Sequence, residues 1–174
     1  DIDLTKYKNQ EHIGSMFKDY NLEQVNKIQV VKQADVVMLL YLLEHKFSKE
    51  VKKSNYDYYE KRTLHDSSLS LSTHSILASD IDEKDLAYKL FQEATKIDLG
   101  ENMKTSDHGI HAASLGGLWQ IVVNGFGGVR MVGGNLRINP KLPENWSRLS
   151  FSFMWKGNKL DIELTKEGIK IEVK

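Results

Sequence analysis

The sequence predicts an α+β fold, helical over residues 1–127 and strand-rich over residues 128–174. Three observations carry this. Apolar residues recur at three- and four-residue steps through most of the first part, a glycine-rich break stands at Gly125-Phe126-Gly127-Gly128, and a period of two follows it. Helices followed by a run of strands, without alternation of the two, place the chain among folds that pack helices on a small antiparallel sheet.

Each element has its own warrant. Residues 1–20 are polar and hold no clear period, which reads as an extended lead-in. A long helix is expected from Asn21, an N-cap with Gln24 three residues on as its capping-box partner. Val25, Ile28, Val31, Ala34, Val37 and Tyr41 form its apolar stripe, and Met38, Leu39, Leu42 and Leu43 widen it nearly to a full wrap. Residues 48–66, charged and tyrosine-rich, predict a short helix and a loop. A second helix is expected over Ser67 to Ile81, and a third capped by Asp82, with Leu86, Leu90, Ala94 and Ile97 on one face and Gly100 as its stop. The last helix runs from about Gly109 to Asn124. Its small residues, Ala112 to Ser114 and Gly116-Gly117, allow close approach of another backbone or a ligand.

Beyond the break, Leu149, Phe151, Phe153 and Trp155 alternate with Ser150, Ser152 and Met154. Lys156-Gly157-Asn158-Lys159 signals a hairpin, Leu160, Ile162 and Leu164 the return strand, and Glu167-Gly168 a turn into Ile169, Ile171 and Val173. Val129–Val132 and Leu136–Ile138 are candidate additions to this meander.

Composition excludes several function classes. Lys+Arg and Asp+Glu both number 24 in 174 residues, so no general field draws the chain to nucleic acid or an anionic membrane. The longest apolar run, Val36 to Leu43, is far shorter than the roughly 20 residues that span a bilayer. With no cysteine there are neither disulfides nor thiolate metal sites, which fits a reducing cytoplasm. The first residues have no signal-peptide character and no initiator Met, which predicts a fragment or processed product.

Three polar clusters stand out. Lys32-Gln33 falls in the middle of the apolar helix pattern; the pair either lies on a solvent-facing strip or points into a polar pocket where it meets sugar hydroxyls. Thr63-Leu64-His65-Asp66-Ser67-Ser68-Leu69-Ser70 crowds hydroxyls at a helix start, where free N–H groups and the dipole favour an anion; the plain alternative is capping by Asp66 or Ser67. His108-Gly109-Ile110-His111-Ala112-Ala113-Ser114-Leu115-Gly116-Gly117 offers a second such start, or merely tight helix packing. His108 and His111 lack a third ligand at metal spacing, and no strand–turn–helix elbow surrounds Ser114. The residues alone support binding of a small oxyanion, with or without a polyol.

Four stretches in order carry a resemblance: Lys32 to Val37, Tyr58 to Ser70, Gly109 to Gly117, and Gly125 to Arg130, with Asn139 to Trp146 following. They resemble the carboxy-terminal third of glycoside hydrolase family 65, the maltose, trehalose, kojibiose and nigerose phosphorylases, from about residue 22 to the end. The resemblance implies that residues 1–127 are the last helices of an (α/α)6 catalytic barrel and 128–174 a terminal β-sheet domain. It implies inverting phosphorolysis of an α-linked glucose disaccharide to β-glucose 1-phosphate and a free sugar, with phosphate as co-substrate and no metal or organic cofactor. By motif, Ser67, Ser68 and His111, with His65 and Ser114, would hold phosphate, and Lys32 and Gln33 the glucose. The family's general-acid glutamate would lie upstream, so no catalytic residue is assigned here. The rest of the barrel is an implied partner, and apolar faces left bare on 25–43 and 110–123 predict self-association. A hydrolase of the same family and a non-catalytic carbohydrate-binding or structural module are the alternatives. The Gly109 to Gly117 stretch leans toward kojibiose- or nigerose-type members.

Overall fold

The computed structural model describes residues 2–8, 14–100 and 109–174. The helices are α1 (Leu22–Val25), α2 (Asp35–Leu42), α3 (Lys49–Arg62), α4 (Ser70–Asp80), α5 (Lys84–Leu99) and α6 (Ala112–Gln120), the last continuing as a π-turn over Ile121–Phe126. The strands are β1 (Val129–Val132), β2 (Asn135–Ile138), β3 (Arg148–Trp155), β4 (Asn158–Thr165) and β5 (Ile169–Val173). The α+β expectation holds, with both sheets antiparallel.

The helix expected from Asn21 to Leu43 is two helices and a strand-like link. Its cap is as read: Asn21 and Gln24 exchange a reciprocal capping box. After Val25 the helix stops: Ile28, Val30 and Val31 are β-branched, and Val31 finds an extended partner. Val31 forms a parallel bridge with Thr63, donating its N–H to Arg62 and accepting from Leu64. The lead-in is also more ordered than expected, with 3₁₀ turns at Thr5–Tyr7 and Ser15–Lys18. Leu4, Tyr7 and Met16 bury themselves against Leu64.

Helix α4 is the centre of the molecule. Every residue from Ser70 to Ser79 is buried, and α2, α3, α5 and α6 pack around it. Its polar side chains are tied to backbone: Ser75 Oγ donates to Ala87 and Ser79 Oγ to Gly125. Short side chains let α6 come close. A Cβ built at Gly117 would stand 2.6 Å from Ser72 Oγ. Asp82 does not cap α5 as expected; it takes a left-handed φ of 65°, and its carboxylate meets Lys49 and Lys141, leaving Glu83 at the cap.

The Gly125 to Gly128 break is a packing requirement. Gly128 has φ +65°, and a Cβ there would fall 1.8 Å from the carbonyl oxygen of Asn139. From here β1 and β2 form a hairpin through Gly133-Gly134. They pair with each other, and do not extend the β3-β4-β5 meander. Leu160, Ile162 and Leu164 form the sheet core, covered by Leu136, Ile138 and Phe151. Contacts through Trp146 and Arg130 help join the sheets to the helices. Trp146 packs edge-on against Phe126 and Phe91. Arg130 of β1 is buried over the Tyr41 ring, donates to Asp80 at 2.8 Å, and lies 3.6 Å from Glu44, which also pairs with Arg137. Leu42 and Trp119 remain exposed, on the two stretches where bare apolar faces were expected.

Candidate functional site

The contacts along α4 decide where the polar clusters meet. Ser72 lies against Gly117, Ile76 against Gly125, and Ser79 donates to the carbonyl of Gly125. As α4 advances so does its partner, so α4 and α6 run parallel and begin at the same end of the molecule. Helix α5 returns antiparallel to them, which brings Asp98 back to the start of α6. The bridge between Val31 and Thr63 sets the residue before Lys32 beside the segment that leads into α4.

Neither helix start carries a side-chain cap. Leu69 is the N-cap of α4 and His111 that of α6, and among the described residues no side chain accepts from the first turn of either. The capping explanation for the hydroxyl cluster therefore does not describe this structure. Helix α4 begins at Ser70 and not Ser67; Ser67 precedes it at a bend, where its Oγ accepts a long bond of 3.4 Å from the Leu69 N–H. Ser67 is buried and Ser68 half-buried. Asp66 is buried too; one carboxylate oxygen accepts from Gly14 N–H and the other has no partner. Two uncapped helix starts present backbone N–H groups and positive dipole ends, the arrangement that receives small anions.

His65 and His111 are placed differently. His65 is 3% exposed and sits at φ 56°, a conformation that costs a non-glycine residue about 1–3 kcal/mol and persists only where neighbours hold it. Those neighbours are Glu60, 3.2 Å from Nε2, and Ser70 Oγ, 3.0 Å from Nδ1. Both ring nitrogens are engaged inside the protein, so direct contact with an anion would require leaving one of these partners. His111 is half-buried, with Nδ1 3.1 Å from Asp98 Oδ1. Ser114 is buried in the first turn of α6. His108 lies outside the described residues. Lys32 and Gln33 are exposed, at bends outside the helix where the sequence pattern set them, so the burial argument made for them there does not apply.

Glu60, His74 and Asp98 went unassigned in the sequence reading. Glu60 receives His65 and, at 2.5 Å, Nδ1 of the fully buried His74; the Lys8 ammonium lies 3.4 Å from the same carboxylate. Burial alone would raise the Glu60 carboxyl, but hydrogen bonds and charge from the two histidines outweigh it and hold it well below the usual carboxylate range. Burial lowers His74 in spite of Glu60. The ligand atoms of Glu60, His65 and His74 lie within 4.8 Å of one another. As arranged they bond to each other, not around a common centre. A metal at bond lengths of about 2.0–2.2 Å would have to part these contacts beside a lysine ammonium, a poor fit. Only the folding of α3, the 63–69 link and α4 onto one another joins these residues; no spacing in the chain marks them.

Comparison with known proteins agrees with this layout. Residues 1–120 match the model of the glycosyl hydrolase family 65 central catalytic domain, and residues 129–174 that of the family's C-terminal domain. Kojibiose phosphorylase of Halothermothrix orenii is 48% identical over 170 residues, which are 98% of this chain and 22% of that protein. The alpha,alpha-trehalose phosphorylase of Thermoanaerobacter brockii is 46% identical over 145 residues, 83% of this chain and 19% of that protein. A solved structure of a putative kojibiose phosphorylase from human microbiome superposes with a TM-score of 0.89 at 33% identity, covering 99% of this chain and 25% of that one. The chain thus spans about a fifth of the length of the curated relatives it matches. Two consecutive family models and relatives along nearly its whole length show that the chain belongs to glycosyl hydrolase family 65.

Proposed function

We propose that the full-length protein containing this chain is an inverting phosphorylase of α-linked glucose disaccharides, and that this chain supplies its phosphate pocket and part of its glucose pocket. The observation that carries the reading is the pair of parallel, uncapped helix starts at one end of the molecule, bordered by Ser67 and Ser68 on one side and by His111 and Ser114 on the other. Relatives named as kojibiose, trehalose and glucosylglycerol phosphorylases support phosphate as the anion. Hydroxyl and amide donors hold the dianion without the charge neutralisation that a set of arginines would impose, which preserves its nucleophilicity. A phosphate oxygen attacks the anomeric carbon as the glycosidic bond breaks, and the leaving oxygen takes a proton from a carboxylic acid in the part of the family that this chain does not span. Lys32 and Gln33 contact glucose, and His65 serves the pocket by holding Ser70 and the bend before it.

On this reading residues 1–127 are the last helices of an (α/α)6 barrel and residues 128–174 its terminal sheet domain. No metal or organic cofactor is used, and the cysteine-free chain works in the cytoplasm. Among the described residues no helix is long and apolar enough to cross a membrane. The exposed Leu42 and Trp119 meet the remainder of the barrel in the full-length protein, and in the isolated chain they drive self-association. The test is product analysis with the full-length enzyme on kojibiose, nigerose, maltose and trehalose. β-Glucose 1-phosphate forms only when phosphate is present, and Ser67→Ala or Ser68→Ala raises the phosphate KM about tenfold. Release of glucose at equal rates without phosphate, or turnover by the 174-residue chain alone, refutes the assignment.

A further inference from the structure

We infer that Asp98 is a positioning residue for the anion pocket: its carboxylate fixes His111 in the orientation and tautomer that point Nε2 at the bound phosphate. The inference rests on the phosphate-pocket reading and adds to it a residue from a third helix. Asp98 stands in the last turn of α5, next to the exposed Leu99, yet keeps its own side chain 3% exposed. One oxygen, Oδ1, accepts twice from the same residue, from the His111 backbone N–H at 3.0 Å and from ring Nδ1 at 3.1 Å. The first bond anchors the N-cap of α6. The second requires the proton of a neutral imidazole to sit on Nδ1, since a carboxylate can only accept. Nε2 is left on the far side of a ring that remains 30% exposed at the uncapped start of α6.

A purely structural role explains less. Capping the chain entry needs only the backbone bond, and the ring could then turn to water. Asp98 also keeps its second oxygen, Oδ2, buried and without a partner among the described residues. An unsatisfied buried carboxylate oxygen is unfavourable for folding and calls for a reason. The reason offered by the geometry is charge. With its proton held on Nδ1 by Asp98, His111 leaves the Nε2 lone pair to accept from the O–H of a hydrogen phosphate, and the negative charge of the buried carboxylate strengthens that acceptor. Asp98 faces no other titratable group among the contacts of the described residues.

The test uses the full-length enzyme and two variants, Asp98→Asn and His111→Gln, alone and together. Phosphate KM is expected to rise about tenfold in each single variant. The double variant should be no worse than either, and disaccharide KM should stay within about twofold throughout, because the two residues act on phosphate as a unit. Asp98→Asn without effect on phosphate KM, beside a His111→Gln that raises it, overturns the inference and leaves the phosphate pocket standing. If His111→Gln itself leaves phosphate KM unchanged, both fall. Additive effects in the double variant, or equal losses toward disaccharide, mean that Asp98 only supports the fold, and also overturn it. Should Asp98→Asn fail to fold, ¹⁵N chemical shifts of the wild-type histidines at about pH 8 decide, since the Nδ1–H tautomer is expected for His111 and the Nε2–H tautomer refutes it.

Discussion

Replacing Gly117 by alanine tests the contact on which the geometry of the pocket depends. Gly116 and Gly117 are neighbours in α6, but a Cβ at Gly116 meets nothing within 4 Å, whereas at Gly117 it would stand 2.6 Å from Ser72 Oγ and 2.8 Å from Ser72 Cβ. Alanine is favoured over glycine inside a helix by about 1 kcal/mol. Gly116→Ala should therefore stabilise by about that amount. Gly117→Ala gains the same propensity but overpacks a buried helix crossing, a cost of about 1–3 kcal/mol. Its net effect runs from near zero to about 2 kcal/mol destabilising, and the two variants should differ by about 1–3 kcal/mol. Urea denaturation followed by circular dichroism reads this as a difference in midpoint at unchanged slope. Ser72→Gly removes both opposing atoms, so combined with Gly117→Ala it should recover the overpacking term, a favourable coupling of about 1–3 kcal/mol whatever the propensities do. Equal midpoints for Gly116→Ala and Gly117→Ala would show that α4 and α6 are not in close contact there. The convergence of their starts would then lose its support.

Two further outcomes follow from buried charge. Arg130→Ala leaves the buried Asp80 without its cation, while Glu44 keeps Lys52 and Arg137, and should destabilise by about 3–5 kcal/mol, whereas Arg137→Ala, removing a half-exposed partner of Glu44, should cost about 0–1 kcal/mol. Equal losses in urea midpoint would disprove the burial argument. Burial lowers His74 below the ordinary histidine value of about 6.5, so the unfolded chain binds the extra proton first and stability should fall as pH drops through about 6.5. Glu60, depressed overall, adds stability above about pH 4.3 that is lost as acid passes its lower folded value. Urea midpoints should decline from about pH 7 to 5 in the wild type and flatten over that window in His74→Gln. A wild-type midpoint that does not fall there contradicts the neutral, buried His74.

Much of the architecture was legible in residue order because it rests on local rules. The period-two alternation of Leu149 to Trp155 is the register that half-buries one face of β3, and Lys156-Gly157 turns with positive φ at both residues. Asn21 and Gln24 could be read as a capping box because both partners are within one turn. The motifs around Ser67 and His111 and the family they indicate were equally readable, since they are contiguous. Other features were settled by partners distant in sequence. Apolar residues from Val25 to Tyr41 satisfy a helical period, yet Val31 pairs with Thr63 between α1 and α2, and Lys32 and Gln33 follow as exposed bends outside either helix. Asp82 looked like a cap and instead meets Lys49 and Lys141. Glu60 reaches His74 across 14 residues and Asp98 reaches His111 across 13, spacings without a periodic signature. The sequence by itself determined the order of helices and strands, the hairpins and the donor-rich helix starts, because those depend on neighbours within a few residues. Only the tertiary structure decided that the starts of α4 and α6 lie side by side and which carboxylates hold their histidines, because a hydrogen bond or a van der Waals contact acts between atoms that the fold, not chain order, brings within about 3–4 Å.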